Sequence, residues 1–318
     1  MVQRMPVSCD PRVCVIILNF NGKSHLEYCL PSILKSDYEN MSVLLVDNMS
    51  TDDSLEYARR EFPEIEILVL DSNKGYAGGN NEGIKAAIKK GADIVVLANN
   101  DILVHPQWIN SAVRAFDADS QVGFVGCDVF GDFSSVPVED YHEACSKWKN
   151  ISMDYTAEYI SGMALFIKKE LFRNVGFLDE KYFLYSEETD LEFRGKLIGY
   201  KSMKTNVPIW HYSSGSTQNI PVKASVYAIR NSIRMSIKFK QPLFLILKNI
   251  LCIYKTAVNP FLGADINDRL VSRLRPKNCF INFFIVSYCV FWNLLNLHET
   301  FKARKADYVY INNFNGDY

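Results

Sequence analysis

The first apolar run of this 318-residue chain, Val13 to Leu18, ends without a glycine-rich loop. A single Gly22 follows Asn19-Phe20-Asn21, where a dinucleotide-binding fold would carry G-x-G-x-x-G. No Walker loop occurs either. The eight cysteines form no C-x-x-C pair and no metal-ligand spacing, and several, such as Cys14 and Cys289, sit inside apolar runs. That usage excludes a disulfide framework and fits a reducing compartment. Met1 to Arg12 holds two Arg, two Pro and one Asp but no apolar core, so neither a secretory signal nor an N-terminal anchor is expected. Acids are scarce in the last third: Val222 to Lys305 carries 14 Lys and Arg against three acids, although the whole chain has a net charge of −1. Such a stretch either faces an anionic surface, phosphate head groups first among them, or is a solvated basic face. No nucleic-acid partner is expected.

What is present is a regular alternation. Val13–Leu18, Val43–Val46, Ile65–Leu70 and Ile94–Ala98 are short apolar runs of the kind that form strands. Helical stretches separate them, one to about Leu34, one from Ser54 to Phe62 and one from Glu82 to Lys90. This spacing predicts βαβ units and a parallel sheet, which binds ligands at the carboxyl ends of its strands. The polar clusters fall there: Asn19 to Gly22, Asp47 to Asp53, Asp71 to Asn81, and Asn99 to Asp101. Later the pattern predicts a helix after Pro106, a strand entering a helix over Tyr159–Lys168, a helix over Thr189–Leu197 and a strand over Asn206–Trp210. A boundary near Ile220-Pro221 gives domains over 1–220 and 221–318.

The clusters carry carboxylate and amide chemistry. Asp47, at the end of the second strand, can accept hydrogen bonds from a pyrimidine N–H or a ribose hydroxyl. Its neighbours Ser50, Thr51 and Asp52 equally suit a helix N-cap. Gly75, Gly78, Gly79 and Gly83 fall within nine residues, which suits a helix start and close backbone approach to a ligand. Asp101 ends the run Asn99-Asn100-Asp101, where a hard oxygen ligand could hold a divalent cation against a departing diphosphate, or cap the helix after Pro106.

Taken in order, V-D-N-x-S-x-D-x-S, N-x-G-Y-A-x-G-N-N-x-G and N-N-D resemble the family-2 glycosyltransferases of GT-A fold, and most closely their rhamnosyltransferase-like branch. The resemblance covers roughly residues 13 to 235. It implies a Rossmann-like, mostly parallel sheet flanked by helices, with a C-terminal helical appendage. It also implies nucleotide-sugar contacts from Asn19, Asn21, Asp47, Asn48, Gly79, Asn80, Asn81 and Asn100, with Asn99 replacing the first carboxylate of an Asp-x-Asp metal motif. Ser161-Gly162-Met163-Ala164 resembles the acceptor-side strand. Tyr185 to Leu191 with Arg194 resembles the segment that holds the general base, which places Glu188, with Glu187 beside it, in that role and Asp190 on the acceptor side. His211 matches a histidine that completes the metal shell, and Arg230 matches a residue that pairs with phosphate or forms a structural ion pair. The reaction implied is inverting and dependent on Mg²⁺ or Mn²⁺, moving a sugar such as rhamnose from a nucleotide diphosphate to a saccharide or lipid-linked acceptor. A sugar nucleotidyltransferase and a non-catalytic sugar-nucleotide-binding module are the alternatives.

Two apolar stretches remain. Leu243 to Leu262 carries Lys248, Lys255 and Asn259 on one helical face, and Cys279 to Leu297 has no charge across 19 residues, with Asn282, Asn293 and Asn296 on one face. Arg269, Arg273, Arg275 and Lys277 lie between them. Narrow polar stripes flanked by positive charge predict helices lying in a membrane interface. A buried subdomain, an oligomer interface or a true span from Cys279 are the other readings. The expected location is cytoplasmic, peripheral or monotopic at an anionic membrane.

Overall fold

A computed structural model describes residues 10–132, 145, 153–154, 160, 162–211, 221–258 and 278–315. The chain divides into two compact units. The first takes Met1–Asn73, Gly79–Arg173 and Gly199–Ser213, and the second Lys74–Gly78, Asn174–Ile198 and Ser214–Tyr318.

The first unit is built on one sheet. Its strands are β1 (Val13–Asn19), β2 (Met41–Asp47), β3 (Glu66–Val69), β4 (Ile94–Asn99), β5 (Ile102–Val104), β6 (Val122–Asp132), β7 (Met153–Asp154), β8 (Ala164–Lys168) and β9 (Lys201–His211). They are ordered β3-β2-β1-β4-β8-β6-β9-β5, with β7 also on β9. The half containing β1 to β4 is parallel, as the apolar runs predict. Beyond β4 the sheet becomes mixed, because β8 runs antiparallel to both β4 and β6.

Register places the polar strand ends side by side. Asn19 pairs with Asp47 across β1 and β2, and Leu18 pairs with Asn99 across β1 and β4. On the far side β9 pairs antiparallel with β5, which sets His211 opposite Ile102, the residue after Asp101.

Alternation along the strands sends side chains to two helical layers. Val13, Val15 and Ile17 of β1 join Val43, Leu45 and Val96 in one core with Leu26, Leu30 and Ile33 of α1 (Lys23–Leu34). Trp108, Ile109 and Ala112 of α4 (Trp108–Ala118) complete it. Trp108 meets Phe166 edge to face at 5.1 Å and donates its indole N–H to Ser36 Oγ at 2.8 Å. The short α2 is Ser54–Glu61.

The opposite face carries Ile16, Leu18 and Val46, against which α3 (Gly75–Lys89) packs. This helix starts seven residues before the predicted Glu82, so the glycine run lies inside a helix. A Cβ on Gly83 would stand 2.7 Å from Ile16 Cγ2 and 2.9 Å from Val46 Cγ2, and one on Gly79 would stand 2.5 Å from Leu18 Cδ1. The close approach these glycines allow is therefore to the sheet.

The second unit is helical. It contains α6 (Glu187–Leu197), which follows α5 (Lys169–Val175) in the chain, and α7 (Pro221–Lys238), α8 (Leu243–Val258), α9 (Cys279–Leu295) and α10 (Leu297–Asn315). Ile229 and Ile233 of α7, Ile253 and Ala257 of α8, and Ile285, Val286 and Cys289 of α9 form its apolar core. Burial holds the Cys289 thiol pKa up at about 12. The predicted division at 220 and 221 separates Asn174–Ile198 from α7, whereas the compact unit includes both. The physical reason is a buried ionic cluster that joins them, described below.

The polar stripe of α9 turns inward, toward the rest of the unit. Asn282 and Asn293 are 0% and 2% exposed, and both bond within the unit. Among the described residues no single helix is long and apolar enough to cross a membrane. The pair Cys279–Leu295 and Leu297–Asp307 passes that test together but is bent by 61°. Asn259 and the run Arg269, Arg273, Arg275 and Lys277 lie outside the described residues.

Gly83 tests the α3 packing. Alanine in a helix interior is ordinarily worth about 1 kcal/mol over glycine. Here Gly83→Ala should reverse that sign and destabilise by about 1–3 kcal/mol through overpacking. Urea denaturation should show a lower midpoint with an unchanged slope, and a more stable variant would mean that α3 stands off the sheet.

Candidate active site

In the first unit the carboxyl ends of β1, β2 and β4 are tied by amides. Asn19 is fully buried. Its Nδ2 donates to Ser54 Oγ at 2.9 Å, Ser50 Oγ at 3.1 Å and Asp47 Oδ1 at 3.4 Å, while its Oδ1 accepts from Asn100 Nδ2 at 2.9 Å. A Cβ on Gly22 would lie 2.2 Å from Asn100 Nδ2 and 2.5 Å from Asn19 Oδ1, so this glycine makes room for the amide pair. Asn21, at φ 52°, accepts from the backbone N–H of Thr51 at 2.7 Å and closes the turn after β2. Asn48 donates to Asn73 Oδ1 at 3.1 Å. Asp47 is buried and accepts from the Ser50 N–H at 3.1 Å, and its two oxygens retain lone pairs for a further donor.

Asp101 and His211 meet at the next strand end. Asp101 Oδ1 lies 3.2 Å from His211 Nε2, and Asn99 Nδ2 lies 3.2 Å from that same nitrogen. Asp101 Oδ1 is buried and makes no hydrogen bond. A carboxylate oxygen and an imidazole nitrogen so placed fit a divalent cation, whose neighbouring ligands at about 2.1 Å stand about 3 Å apart. Among the described residues no group of three His, Cys, Asp or Glu could hold a metal, so protein atoms would fill only part of the shell.

The other site residues fall as follows. Gly79, Asn80 and Asn81 are buried within α3. Gly162 is buried beside Met163, whose carbonyl accepts from the Asn99 N–H at 3.0 Å. Ser161 lies outside the described residues.

The second unit holds the carboxylates at the start of α6. Three acids, Glu187, Glu188 and Asp190, occupy its first turn, where the helix dipole favours negative charge. The preceding loop is unusual, because Phe183, Tyr185 and Ser186 have φ of 63°, 72° and 76° without a glycine among them. Such residues cost of order 1–3 kcal/mol each and persist where their surroundings over-determine them. Here α7 does so. Asn231 Nδ2 donates to the carbonyls of Tyr182, Leu184 and Tyr185 at 2.9, 2.8 and 2.8 Å. Arg230 Nη2 donates to those of Lys181 and Tyr182 at 3.1 and 2.9 Å. The Phe183 carbonyl accepts from the Tyr76 N–H at 2.6 Å, and the Phe183 ring stacks on Tyr227.

Arg230 was expected to pair with phosphate or to form a structural ion pair. It lies buried between the rings of Tyr227 and Trp292, at 4.8 and 4.3 Å, and burial lowers its pKa. Its guanidinium braces the loop. Asp190 was expected on the acceptor side, yet it is fully buried with its oxygens committed. Tyr182 Oη and Lys238 Nζ donate to Oδ1 at 3.0 and 2.7 Å, and Arg194 Nε donates to Oδ2 at 2.8 Å. Asp190 therefore anchors α6 within the unit. Lys238 also meets Asp179 at 3.1 Å and Asp307 at 3.1 Å, while Arg234 donates to Asp179 at 2.8 Å. Three cations and three carboxylates thus balance in one cluster. Burial would raise the Asp179 carboxyl, but Lys238 and Arg234 outweigh it and hold the group well below the usual range. Arg230, Arg234 and Lys238 belong to the basic C-terminal third, and Arg234 and Lys238 are neutralised inside by Asp179, Asp190 and Asp307. Their i, i+4, i+8 spacing was the sequence signal for a buried stripe.

Glu187 is buried and hydrogen-bonded to Glu188. Burial first, and the Glu188 charge second, push its carboxyl well above the usual range.

With this geometry in view, comparison with known proteins is decisive at the family level. The family model for glycosyl transferase family 2 matches residues 14–188. The chain belongs to that family. It is 24% identical over 239 residues to an N-acetylglucosaminyl-diphospho-decaprenol L-rhamnosyltransferase of Mycobacterium tuberculosis, covering 65% of this chain and 78% of the relative. It is 22% identical over 262 residues to the dTDP-rhamnosyl transferase RfbF of Shigella flexneri, covering 76% and 85%. Among solved structures it is similar to a mannosyltransferase of Pyrobaculum calidifontis in complex with GDP-Man and Mn²⁺, at a TM-score of 0.56 and 18% identity over 98% of this chain and 90% of that one. These likenesses establish a family-2 glycosyltransferase of GT-A fold with rhamnosyltransferase relatives.

The raised carboxyl of Glu187 in this transferase has a thermodynamic signature. A carboxyl with a raised folded-state pKa contributes stability that is full below its unfolded value, near 4.5, and is lost as pH rises toward the folded value. Glu187→Gln removes that loss. Its melting temperature relative to the parent should therefore rise from pH 5 to pH 8. A pH-independent difference would show that Glu187 is ionised in the folded protein.

Proposed function

We propose that this transferase moves a deoxyhexose, with rhamnose as the reading favoured by two rhamnosyltransferase relatives, from a nucleotide diphosphate onto a lipid-linked saccharide with inversion. The observation that carries the reading is the Asp101–His211 pair beside the amide-tied row of Asn19, Asp47 and Asn100. Asp47 accepts hydrogen bonds from the nucleoside, and the neighbouring amides orient the diphosphate. Asp101 and His211 would hold a Mg²⁺ or Mn²⁺ ion. When bound, that ion offsets the charge growing on the leaving diphosphate. The Mn²⁺ bound to the similar mannosyltransferase supports this. Glu188 takes the proton of the attacking acceptor hydroxyl. Glu187 lies buried beside it.

An acceptor on a diphospho-decaprenol carrier, as one relative's name states, supports work at the cytoplasmic face of a membrane, with this protein peripheral or monotopic there. A sugar nucleotidyltransferase would release pyrophosphate from a nucleoside triphosphate and a sugar phosphate. A binding module would take up nucleotide sugar without transfer.

Incubation with dTDP-rhamnose and an N-acetylglucosaminyl-diphospho-lipid should yield a disaccharide lipid and dTDP. Asp101→Asn should abolish this transfer and also the calorimetric Mn²⁺ binding seen with dTDP. Retention of both would refute the metal assignment. Glu188→Gln should lower kcat by roughly 10² to 10⁴ with the donor dissociation constant nearly unchanged. If Glu187→Gln instead gives that profile and Glu188→Gln is benign, the two residues exchange roles.

A further inference from the structure

We propose that α8 and α9 form a docking surface for an anionic lipid bilayer, with the aromatic side of α9 entering the acyl region and Lys248 and Lys255 of α8 at the phosphate level. This names the contact surface for the membrane location proposed above and rests on that reading, whichever sugar is transferred.

The carrying observation is that α9 is apolar on both sides, with its only asparagine stripe turned inward. Its buried stripe is Asn282, Ile285, Val286, Cys289 and Asn293. Asn293 Nδ2 donates to the Arg230 carbonyl of α7 at 2.9 Å, and Asn282 Nδ2 donates to the Ala257 carbonyl of α8 at 3.4 Å. The polar atoms thus face the protein, and the other side carries Phe280, Ile281, Phe284, Tyr288, Phe291 and Leu295. Phe280, Phe284 and Leu295 are about 70% exposed (72%, 69% and 68%). A helix in water keeps its outer side polar, so the exposed aromatic side of this one is built for an apolar medium. At 17 residues, about 25 Å long, it is shorter than a hydrocarbon core, and its asparagine stripe is occupied by α7 and α8, so it lies on a bilayer without crossing it.

Charge separates a bilayer from a second copy of the chain. On α8, Phe244, Lys248, Leu251, Lys255 and Val258 recur at helical spacing, and all are exposed. Pro221–Val258 and Asn278–His298 contain no acidic residue. A two-fold contact through this surface would place Lys248 and Lys255 among apolar groups with no carboxylate from the same face to receive them. Against lipid, the lysine stems lie along the apolar surface while their ammonium groups reach the phosphates.

The test is cosedimentation of the intact protein with vesicles of phosphatidylcholine alone and of phosphatidylcholine with phosphatidylglycerol. Binding should be tighter to the mixed vesicles and should weaken with salt. Lys248→Gln with Lys255→Gln should cost roughly five-fold per lysine on mixed vesicles, with little change on neutral ones. Phe284→Ser with Phe291→Ser should cost more than ten-fold on both. All four positions are exposed, so the melting temperature should hold. Unchanged partitioning of the Phe variant would overturn the proposal. So would a wild-type protein that ignores both vesicles and sediments as a dimer that the Phe variant dissociates. Transfer to a water-soluble acceptor should persist in every variant. Loss of vesicle binding with that activity intact would remove the membrane reading alone, and a wild type inactive on any acceptor would remove the transferase chemistry alone.

Discussion

A single buried amide organises the carboxyl edge of the parallel half of the sheet. Asn19 ends β1 in the middle of the parallel half of the sheet, and its side chain reaches the ends of β2 and β4 together. With no water to receive them, its donors and acceptor must be matched within the protein, because an unmatched buried polar group costs about 1–3 kcal/mol. That requirement fixes Ser50, Ser54, Asp47 and Asn100 around it and leaves room only for glycine at position 22. Asp101 follows Asn100, and the β5–β9 register then brings His211 to it.

The second unit solves a related problem with charge. Its carboxylate pair sits at the head of a helix whose approach loop is left-handed at three residues. The side chains of Arg230 and Asn231 hold the loop by its carbonyls, and Asp190 ties the helix to Lys238 and Arg194. A buried ion cluster is only weakly stabilising in total, but removing one member leaves an uncompensated charge. Its contribution is therefore to specify one arrangement.

The alternation of β1 to β4 and the ordered motifs were legible, because a buried strand writes itself as an unbroken apolar run and the polar clusters sat where the runs ended. The glycines of α3 were harder. Glycine marks a loop and a tight packing contact with the same letter, and only Ile16 and Val46 beneath Gly83 distinguish them. Asp190 and Arg230 were only partly legible locally, since Lys238 lies 48 residues from Asp190 and Lys181 lies 49 from Arg230. For α9, periodicity found the asparagine face correctly. It could not say which side of the helix was the interior, and the inward answer came from the carbonyls of Ala257 and Arg230.

The loop before Glu187 has a consequence for how the protein can change. Phe183, Tyr185 and Ser186 occupy backbone geometry in which glycine would sit without strain. Selection for thermal robustness alone would therefore favour glycine at these positions, and each gain would loosen the approach to the carboxylate pair. Robustness and a defined loop pull in opposite directions over these three residues, so a variant library ranked by melting temperature would be enriched for a looser loop.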